Sequence, residues 1–120
     1  MIEFLVFEGD PLVRSDIIDI IDAFSPCLPI SVAETMDILA TKLSRSSNPS
    51  VAVLSGSGDQ LSSFFAQYPP SPQHAYVVIG DEDVLKPIEN YVINTVPRPF
   101  SEQSLSEGIK NALSFLHLDR

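Results

Sequence analysis

Two short polar segments contain the residues of this chain that could take part in chemistry. The first is Glu8, Gly9 and Asp10, which follows the apolar segment EFLVF, and the second begins at Ser55, directly after VAVL. Asp10 could bind a metal ion through its carboxylate, but its position before Pro11 is typical of a helix N-cap followed by the first helical residue. We favour the N-cap and treat Asp10 as a weak metal candidate only.

Ser55 begins the segment Ser-Gly-Ser-Gly, which permits two kinds of chemistry. Its hydroxyl could act as a nucleophile, although no histidine lies in a local arrangement that would activate it. Glycines before a helix could bind a phosphate, but their spacing matches neither a dinucleotide fingerprint nor a P-loop, and Asp59 would repel an anion. We therefore interpret Ser55 as a turn hydroxyl and predict neither enzymatic activity nor a bound cofactor.

The two histidines and the single cysteine carry no metal-site pattern. His74 and His117 stand far apart without neighbouring ligands, and Cys27 lies between two prolines with no partner for an intramolecular disulfide. We predict an inert thiol and no metal site built on these residues.

Apolar runs and helical spacing alternate along the chain. The runs are rich in β-forming residues and do not alternate with polar ones, which predicts strands covered on both faces. Between them, apolar residues recur every three to four positions, which predicts amphipathic helices. The predicted strands are Glu3–Phe7, Pro29–Ala33, Val51–Leu54, Ala75–Ile79 and Val92–Val96.

One helical segment departs from this pattern. Asp81 to Tyr91 begins with acids suited to a helix N-terminus, but Pro87 lies in its middle and interrupts helical hydrogen bonding. We expect the fourth helix to be short or bent. The last helix, in contrast, has Ser101 as its N-cap and a regular apolar face.

Strands and helices that alternate in this way predict an α/β fold. Each strand–helix–strand unit makes a right-handed crossover, so the strands become parallel and helices cover both faces of the sheet. We predict one flavodoxin-like, doubly wound domain over residues 1–120, with strand order 2-1-3-4-5, two helices on one face and three on the other. The functional crevice should lie at the carboxyl ends of strands one, three and four.

Composition and charge restrict the class of partner. The 120 residues are 44% hydrophobic and 19% charged, which is typical of a globular domain. The 16 acidic and 7 basic residues give a net charge of −9, which repels nucleic acid and anionic membranes. No apolar stretch is long enough to span a bilayer, and no signal-peptide pattern is present. We therefore predict a cytoplasmic protein that binds a protein partner and neither nucleic acid nor a membrane.

Two segments resemble the receiver domain of response regulators in two-component signalling. FEGDPLVRSDI, from Phe7 to Ile17, is similar to the acidic turn that leads from strand one into helix one. VPRPFSEQSL, from Val96 to Leu105, is similar to the Lys-Pro-Phe signature that follows strand five. The resemblance runs from Glu3 to about Leu116 and implies the same α/β fold, with a cis peptide bond between Arg98 and Pro99.

The same resemblance implies that the phosphorylation chemistry of receivers is lost. A receiver accepts phosphate on an aspartate at the end of strand three, where this chain has Ser55, and a serine hydroxyl cannot form an acyl phosphate. Of the three carboxylates that hold magnesium, only Asp10 is matched, with Glu8 as an additional candidate. The strand-four hydroxyl residue is replaced by glycine and the strand-five lysine by arginine. The positions of this degenerate phosphorylation site are Glu8, Gly9, Asp10, Ser55, Gly80 and Arg98.

A degenerate site of this kind resembles the pseudo-receivers, which keep the fold as a docking module. The leading hypothesis is therefore a phosphorylation-independent signalling module that acts by protein–protein interaction. Receivers commonly dock through the region that corresponds to residues 81–100 and helix five, and a truncated helix four would leave apolar surface uncovered there. We also consider self-association into a homodimer. The predicted docking residues are Val84, Leu85, Ile88, Tyr91 and Thr95.

Two alternatives stay open at this point. A phosphoacceptor regulator would need Asp59, which lies four residues beyond the position matched to the acceptor. A flavodoxin-like binder of a small molecule or nucleotide would use the segment from Ser55 to Gly58.

Overall fold

The computed structural model describes residues 2–88 and 92–118, in which strands alternate with helices. The strands are β1 (Glu3–Phe7), β2 (Ile30–Val32), β3 (Ser50–Ser55), β4 (Ala75–Gly80) and β5 (Ile93–Pro97). The helices are α1 (Pro11–Phe24), α2 (Met36–Arg45), α3 (Gly58–Gln67), α4 (Glu82–Leu85) and α5 (Glu102–Leu118), with a 3₁₀ turn (Lys86–Ile88) after α4. None of these helices is both long and apolar enough to cross a bilayer.

The strands form one parallel sheet in the order β2-β1-β3-β4-β5, which confirms the predicted fold class. Phe4 of β1 lies opposite Val51 of β3, and Val53 of β3 lies opposite Val77 of β4. β3 and β4 are buried at every position. This burial explains why their sequences are apolar without the alternation of a half-exposed strand.

Two apolar clusters cover the sheet, one on each face. The first packs α1 and α5 against the sheet through side chains such as Ile17 and Ile109. The second packs α2, α3 and α4 against the opposite face through side chains such as Leu39, Leu61 and Leu85. Burying one such side chain stabilises the fold by about 1.5–3 kcal/mol. The helices are thus divided two and three between the faces, as predicted.

Side-chain caps begin α1 and α5 at the predicted residues. Oδ1 of Asp10 accepts a hydrogen bond from the backbone N–H of Leu12 at 2.9 Å, and Oγ of Ser101 accepts one from Ser104 at 3.0 Å. Each cap satisfies a backbone N–H that has no partner within its own helix. Asp10 therefore has the structural role that its position before a proline indicated.

Strand boundaries differ from the predicted ones at polar ends. β3 includes Ser50 and Ser55 because both positions pair with neighbouring strands, Ser50 with Glu3 and Ser55 with Ile79. Ser55 is 2% exposed. The interpretation of Ser55 as a turn hydroxyl is therefore wrong, since it is the last residue of a buried strand.

The fourth helix is short, as expected from its central proline. α4 contains 4 residues and passes directly into the 3₁₀ turn around Pro87. Leu85 is 3% exposed and packs in the cluster formed with α2 and α3. The prediction that Leu85 lies on a docking surface is therefore wrong, because the short helix directs this side chain into the core. Tyr91, also predicted to dock, lies outside the described residues.

His74 is a buried histidine that precedes β4. Its side chain is 4% exposed, and its Nε2 lies 3.2 Å from the carbonyl oxygen of Leu43. Burial lowers the pKa of His74 because the imidazolium would lose its hydration, while the Leu43 carbonyl and the Glu3 carboxylate oppose this shift more weakly. The folded protein therefore holds this imidazole in its neutral form at neutral pH.

We predict that the protein loses stability as the pH falls from about 7.5 to about 5.5. Over this range the unfolded chain takes up a proton on His74, whereas the folded state resists it, so protonation favours unfolding. The measurement is the midpoint of urea unfolding at each pH. His74→Gln keeps an amide that can donate to Leu43 and should lose less stability. An equal loss in both proteins would contradict the assignment, and His117→Gln measures the share of the other histidine.

Candidate functional site

A crevice with a volume of about 680 Å³ opens at the carboxyl ends of the central strands, where the functional site was predicted. Its polar lining comes from the segments that follow β1, β4 and β5, and its apolar lining includes Ile79 and Phe100. The charged groups that line it are Glu8, Asp10, Asp16, Asp81 and Arg98. Four carboxylates and one guanidinium make the crevice strongly acidic.

Ser55 and Glu8 form a hydrogen-bonded pair beside this crevice. The Ser55 hydroxyl donates to Oε2 of Glu8, and the backbone N–H of Asp10 donates to Oε1 at 3.1 Å. Glu8 is 9% exposed. A buried carboxylate is stable only where donors replace its lost hydration. Ser55 is therefore one of the two donors that make the burial of Glu8 tolerable.

Parallel pairing of β1 with β3 brings these two residues together. Phe7, the last residue of β1, lies opposite Leu54 of β3. Glu8 follows Phe7 and Ser55 follows Leu54, so these two residues come next to each other. Sequence reasoning treated Glu8 only as an additional metal candidate and missed this pair. The pair could have been predicted by aligning the ends of the two adjacent strands β1 and β3 and extending that register by one residue beyond β1.

Arg98 reaches the crevice as the matched basic residue but is exposed to solvent. Its backbone N–H donates to the carbonyl of Gly80 at 3.0 Å, and the Arg98–Pro99 peptide bond is cis, as the resemblance implied. Among the described residues, its side chain forms no ion pair with Asp10 or Asp81. The guanidinium is therefore available to solvent or to another molecule.

The side chains needed for a receiver metal site are not brought together. Gly9 has no side chain and lies exposed, and the Asp10 carboxylate is engaged as the cap of α1. A β-carbon at position 80 would lie 3.4 Å from Leu85 and 3.7 Å from Leu61, so a hydroxyl residue there would meet aliphatic groups. Within residues 2–88 and 92–118, no group of three or more His, Cys, Asp or Glu is arranged to hold a metal ion.

The segment after Ser55 is used to begin α3. The Ser57 hydroxyl accepts from the backbone N–H of Gln60 at 3.2 Å, and the Gln60 side chain accepts from the Ser57 N–H at 3.0 Å, which is a capping box. A β-carbon at Gly56 would lie 2.9 Å from Cε of Met36, the end of a flexible side chain that would have to move aside. These donors are already satisfied, and Asp59 is exposed on α3. Neither alternative function gains support from this segment.

Comparisons with known proteins support the fold. No protein-family model and no curated protein matches the chain. A solved "probable two-component system response regulator/GGDEF domain protein" is similar with a TM-score of 0.73 and 18% identity over 98% of this chain and 51% of that one. A response regulator from Colwellia psychrerythraea gives 0.64 and 15% over 93% and 97%. The "anti-anti-sigma factor PhyR" from Bartonella quintana gives 0.63 and 14% over 98% and 49%.

These similarities differ in how much of each neighbour they cover. The chain spans about half the length of the first and third proteins and nearly all of the second. At identities of 14–18% the likeness concerns the fold rather than the activity. On this evidence, the chain has the receiver-domain fold of response regulators.

Proposed function

We propose that this chain is a receiver-like signalling module that acts without phosphorylation, by binding another protein. The hydrogen bond between Ser55 and Glu8 carries this proposal. In a receiver, the position of Ser55 holds the carboxylate that accepts the phosphoryl group. Here it holds a neutral hydroxyl that donates a hydrogen bond to the buried Glu8 carboxylate.

The chemistry of phosphoryl transfer argues against acceptance at this position. The reaction needs an anionic nucleophile and a cation that offsets the charge developing on the phosphoryl oxygens. Glu8 adds negative charge next to Ser55, while Gly9 and Gly80 supply neither a metal ligand nor a hydroxyl. An incoming phosphoryl group would therefore meet repulsion rather than stabilisation.

The absence of a usable phosphoacceptor leaves docking as the output that this fold supports best. One of the similar solved structures is named an anti-anti-sigma factor, which describes a protein that acts on other proteins. The net charge of −9 also favours a partner other than nucleic acid. We infer that the present chain also acts on another protein, as a non-enzymatic protein of a signalling pathway.

We place the docking surface on the exposed edge of β5 and the adjoining part of α5. β5 ends the sheet, and a groove of about 630 Å³ beside it is lined by Asn94, Thr95, Ser104 and Glu107, among others. The backbone N–H and C=O groups on the free side of an edge strand can bond to another chain. The half-buried Val84 and Ile88 pack in the α4 region and supply the remaining candidates.

The first prediction from this proposed function concerns phosphorylation. Incubation of the wild-type protein with magnesium and acetyl phosphate should give no mass increase of one phosphoryl group in intact-mass spectrometry, because Ser55 cannot form an acyl phosphate. A receiver that keeps its acceptor aspartate serves as the positive control. A phosphorylated wild-type protein would overturn the proposal.

The second prediction concerns the charge at position 55. Ser55→Asp should lower the free energy of unfolding by about 1–3 kcal/mol in urea titrations, because Glu8 loses a donor and gains a neighbouring carboxylate. Magnesium chloride should recover part of this loss, since a dication offsets both carboxylates. Ser55→Asn, which is neutral and can donate, is the matched control and should not respond to magnesium. A Ser55→Asp protein as stable as the wild type would show that the two side chains do not meet.

The third prediction concerns docking. Glu107→Arg reverses a charge in the groove beside β5, whereas Asp19→Arg makes the same change on the exposed face of α1. Quantitative mass spectrometry of proteins captured by each purified variant from the lysate of the source organism should show a partner that Asp19→Arg retains and Glu107→Arg loses at least about tenfold. Sedimentation equilibrium tests self-association with the same pair of variants. Equal capture and equal self-association by both would place the surface elsewhere.

A further inference from the structure

The backbone of the edge strand β5 presents a row of hydrogen-bonding groups to the outside of the sheet. The Val92 carbonyl and the Arg98 N–H both bond to residues of β4, at 2.9 and 3.0 Å. Along a strand, the N–H and C=O of one residue point to the same side, and successive residues point to opposite sides. The even-numbered residues therefore bond to β4, whereas the N–H and C=O of Thr95 and the C=O of Pro97 face away from the sheet.

This outward row is short and open. Thr95 is half-buried and Pro97 is exposed, whereas Ile93 is only 7% exposed, so its amide is largely covered. Within the described part of the chain, no other group bonds to the outward N–H and C=O groups of Thr95 and Pro97. Proline has no N–H to donate. A chain that pairs with β5 can therefore form three hydrogen bonds, two with Thr95 and one with the Pro97 carbonyl.

A groove lies beside this row, on the α5 side of the sheet. Its volume is about 630 Å³, and α5 contributes Ser104, Glu107 and Asn111 to its wall. The side chains of a strand alternate between the two faces of a sheet. Every second side chain of a strand added to β5 would therefore enter this groove.

Glu107 determines which side chain the groove favours. Its carboxylate is exposed and is the only charged group in the lining that the structure describes. The remaining side chains of the wall are neutral and polar. A Lys or Arg on the added strand would pair with Glu107, whereas an Asp or Glu would be repelled by it and by the net charge of −9. The groove therefore suits a basic segment.

The same charges disfavour a second copy of this chain as the added strand. A β-carbon at Gly108 would lie 3.0 Å from Cγ2 of Val96, so α5 packs closely on β5 and Glu107 lies beside the middle of the strand. Two copies paired antiparallel about Thr95 would bring both Glu107 carboxylates to the same region. Each copy also carries a net charge of −9, and like charges across an interface oppose association.

We propose that β5 binds an extended segment of a partner protein as a sixth strand, with a Lys or Arg of that segment in the groove against Glu107. This inference rests on the proposed docking function. It adds the conformation and the charge of the segment that docks.

Two synthetic pentapeptides test this proposal, acetyl-Thr-Thr-Lys-Thr-Thr-amide and the same peptide with Glu in place of Lys. In ¹⁵N-labelled wild-type protein, the Lys peptide should shift the amide resonance of Thr95 saturably and slow its hydrogen exchange. The Glu peptide should bind about tenfold more weakly. A Lys peptide that leaves the Thr95 amide unchanged, or equal affinities of the two peptides, would overturn the proposal.

Thr95→Pro removes the outward N–H without removing a hydrogen bond to β4. Val32→Pro makes the same change on the opposite edge strand, where Val32 faces outward because the N–H of the following Ala33 bonds to the Val6 carbonyl of β1 at 2.8 Å. Affinity for the Lys peptide should fall about tenfold in Thr95→Pro and stay at the wild-type value in Val32→Pro. Equal affinities of the two variants would contradict strand addition at β5.

Reversal of the charge in the groove tests the basic side chain. Glu107→Arg should bind the Glu peptide more tightly than the Lys peptide, whereas Asp19→Arg should keep the wild-type preference. An unchanged preference in Glu107→Arg would overturn the proposal, and this comparison decides it if Thr95→Pro does not fold.

Capture from lysate separates this inference from the docking function. A partner that Thr95→Pro retains and Glu107→Arg loses would leave the docking function standing and overturn strand addition. If the wild-type protein captures no partner, the docking function fails, and the peptide titrations alone decide whether β5 binds an extended basic segment.

Discussion

Burial of β3 and β4 along their whole length is the constraint on which the rest of this structure depends. A strand covered on both faces needs helices above and below the sheet, and the chain supplies α1 and α5 on one side and the other three helices on the opposite side. Because every crossover returns the chain in the same direction, the carboxyl ends of all strands lie at the same end of the sheet. Residues 8, 55, 80 and 98, which are distant in sequence, therefore lie together at that end. The crevice is a consequence of how the core is built.

The crevice combines a receiver-like fold with its own set of residues at the carboxyl ends of the strands. In a receiver, carboxylates at the carboxyl end of the sheet surround a cation, which offsets their mutual repulsion. In this chain one carboxylate, Glu8, is buried and held by a hydroxyl and a backbone N–H. These two hydrogen bonds stabilise the buried carboxylate. They are the physical basis for proposing a docking module that acts without phosphorylation.

The two ends of the sheet differ sharply in their electrostatics. The crevice gathers four carboxylates and one arginine, whereas the opposite end has a cavity of about 190 Å³ near His74. α3 connects the two regions, because its first residues follow β3 and its last turn reaches the cavity. The acidic end suits interactions with charged groups from solvent or a partner, whereas the described lining of the cavity near His74 offers no charged side chain.

Local sequence patterns by themselves determined the elements, and the alternation of strands and helices predicted the order of the sheet only through the general rules for doubly wound folds. Unalternating apolar runs identified the strands, helical spacing identified the helices, and Asp10, Ser101 and Pro87 marked where helices begin or break. These signals act over a few residues, so they can be read without the fold. The Ser55–Glu8 pair and the burial of Leu85 and His74 were decided only by the tertiary structure. Each depends on a neighbour from a distant segment, and no local pattern records which strand or helix will supply that neighbour.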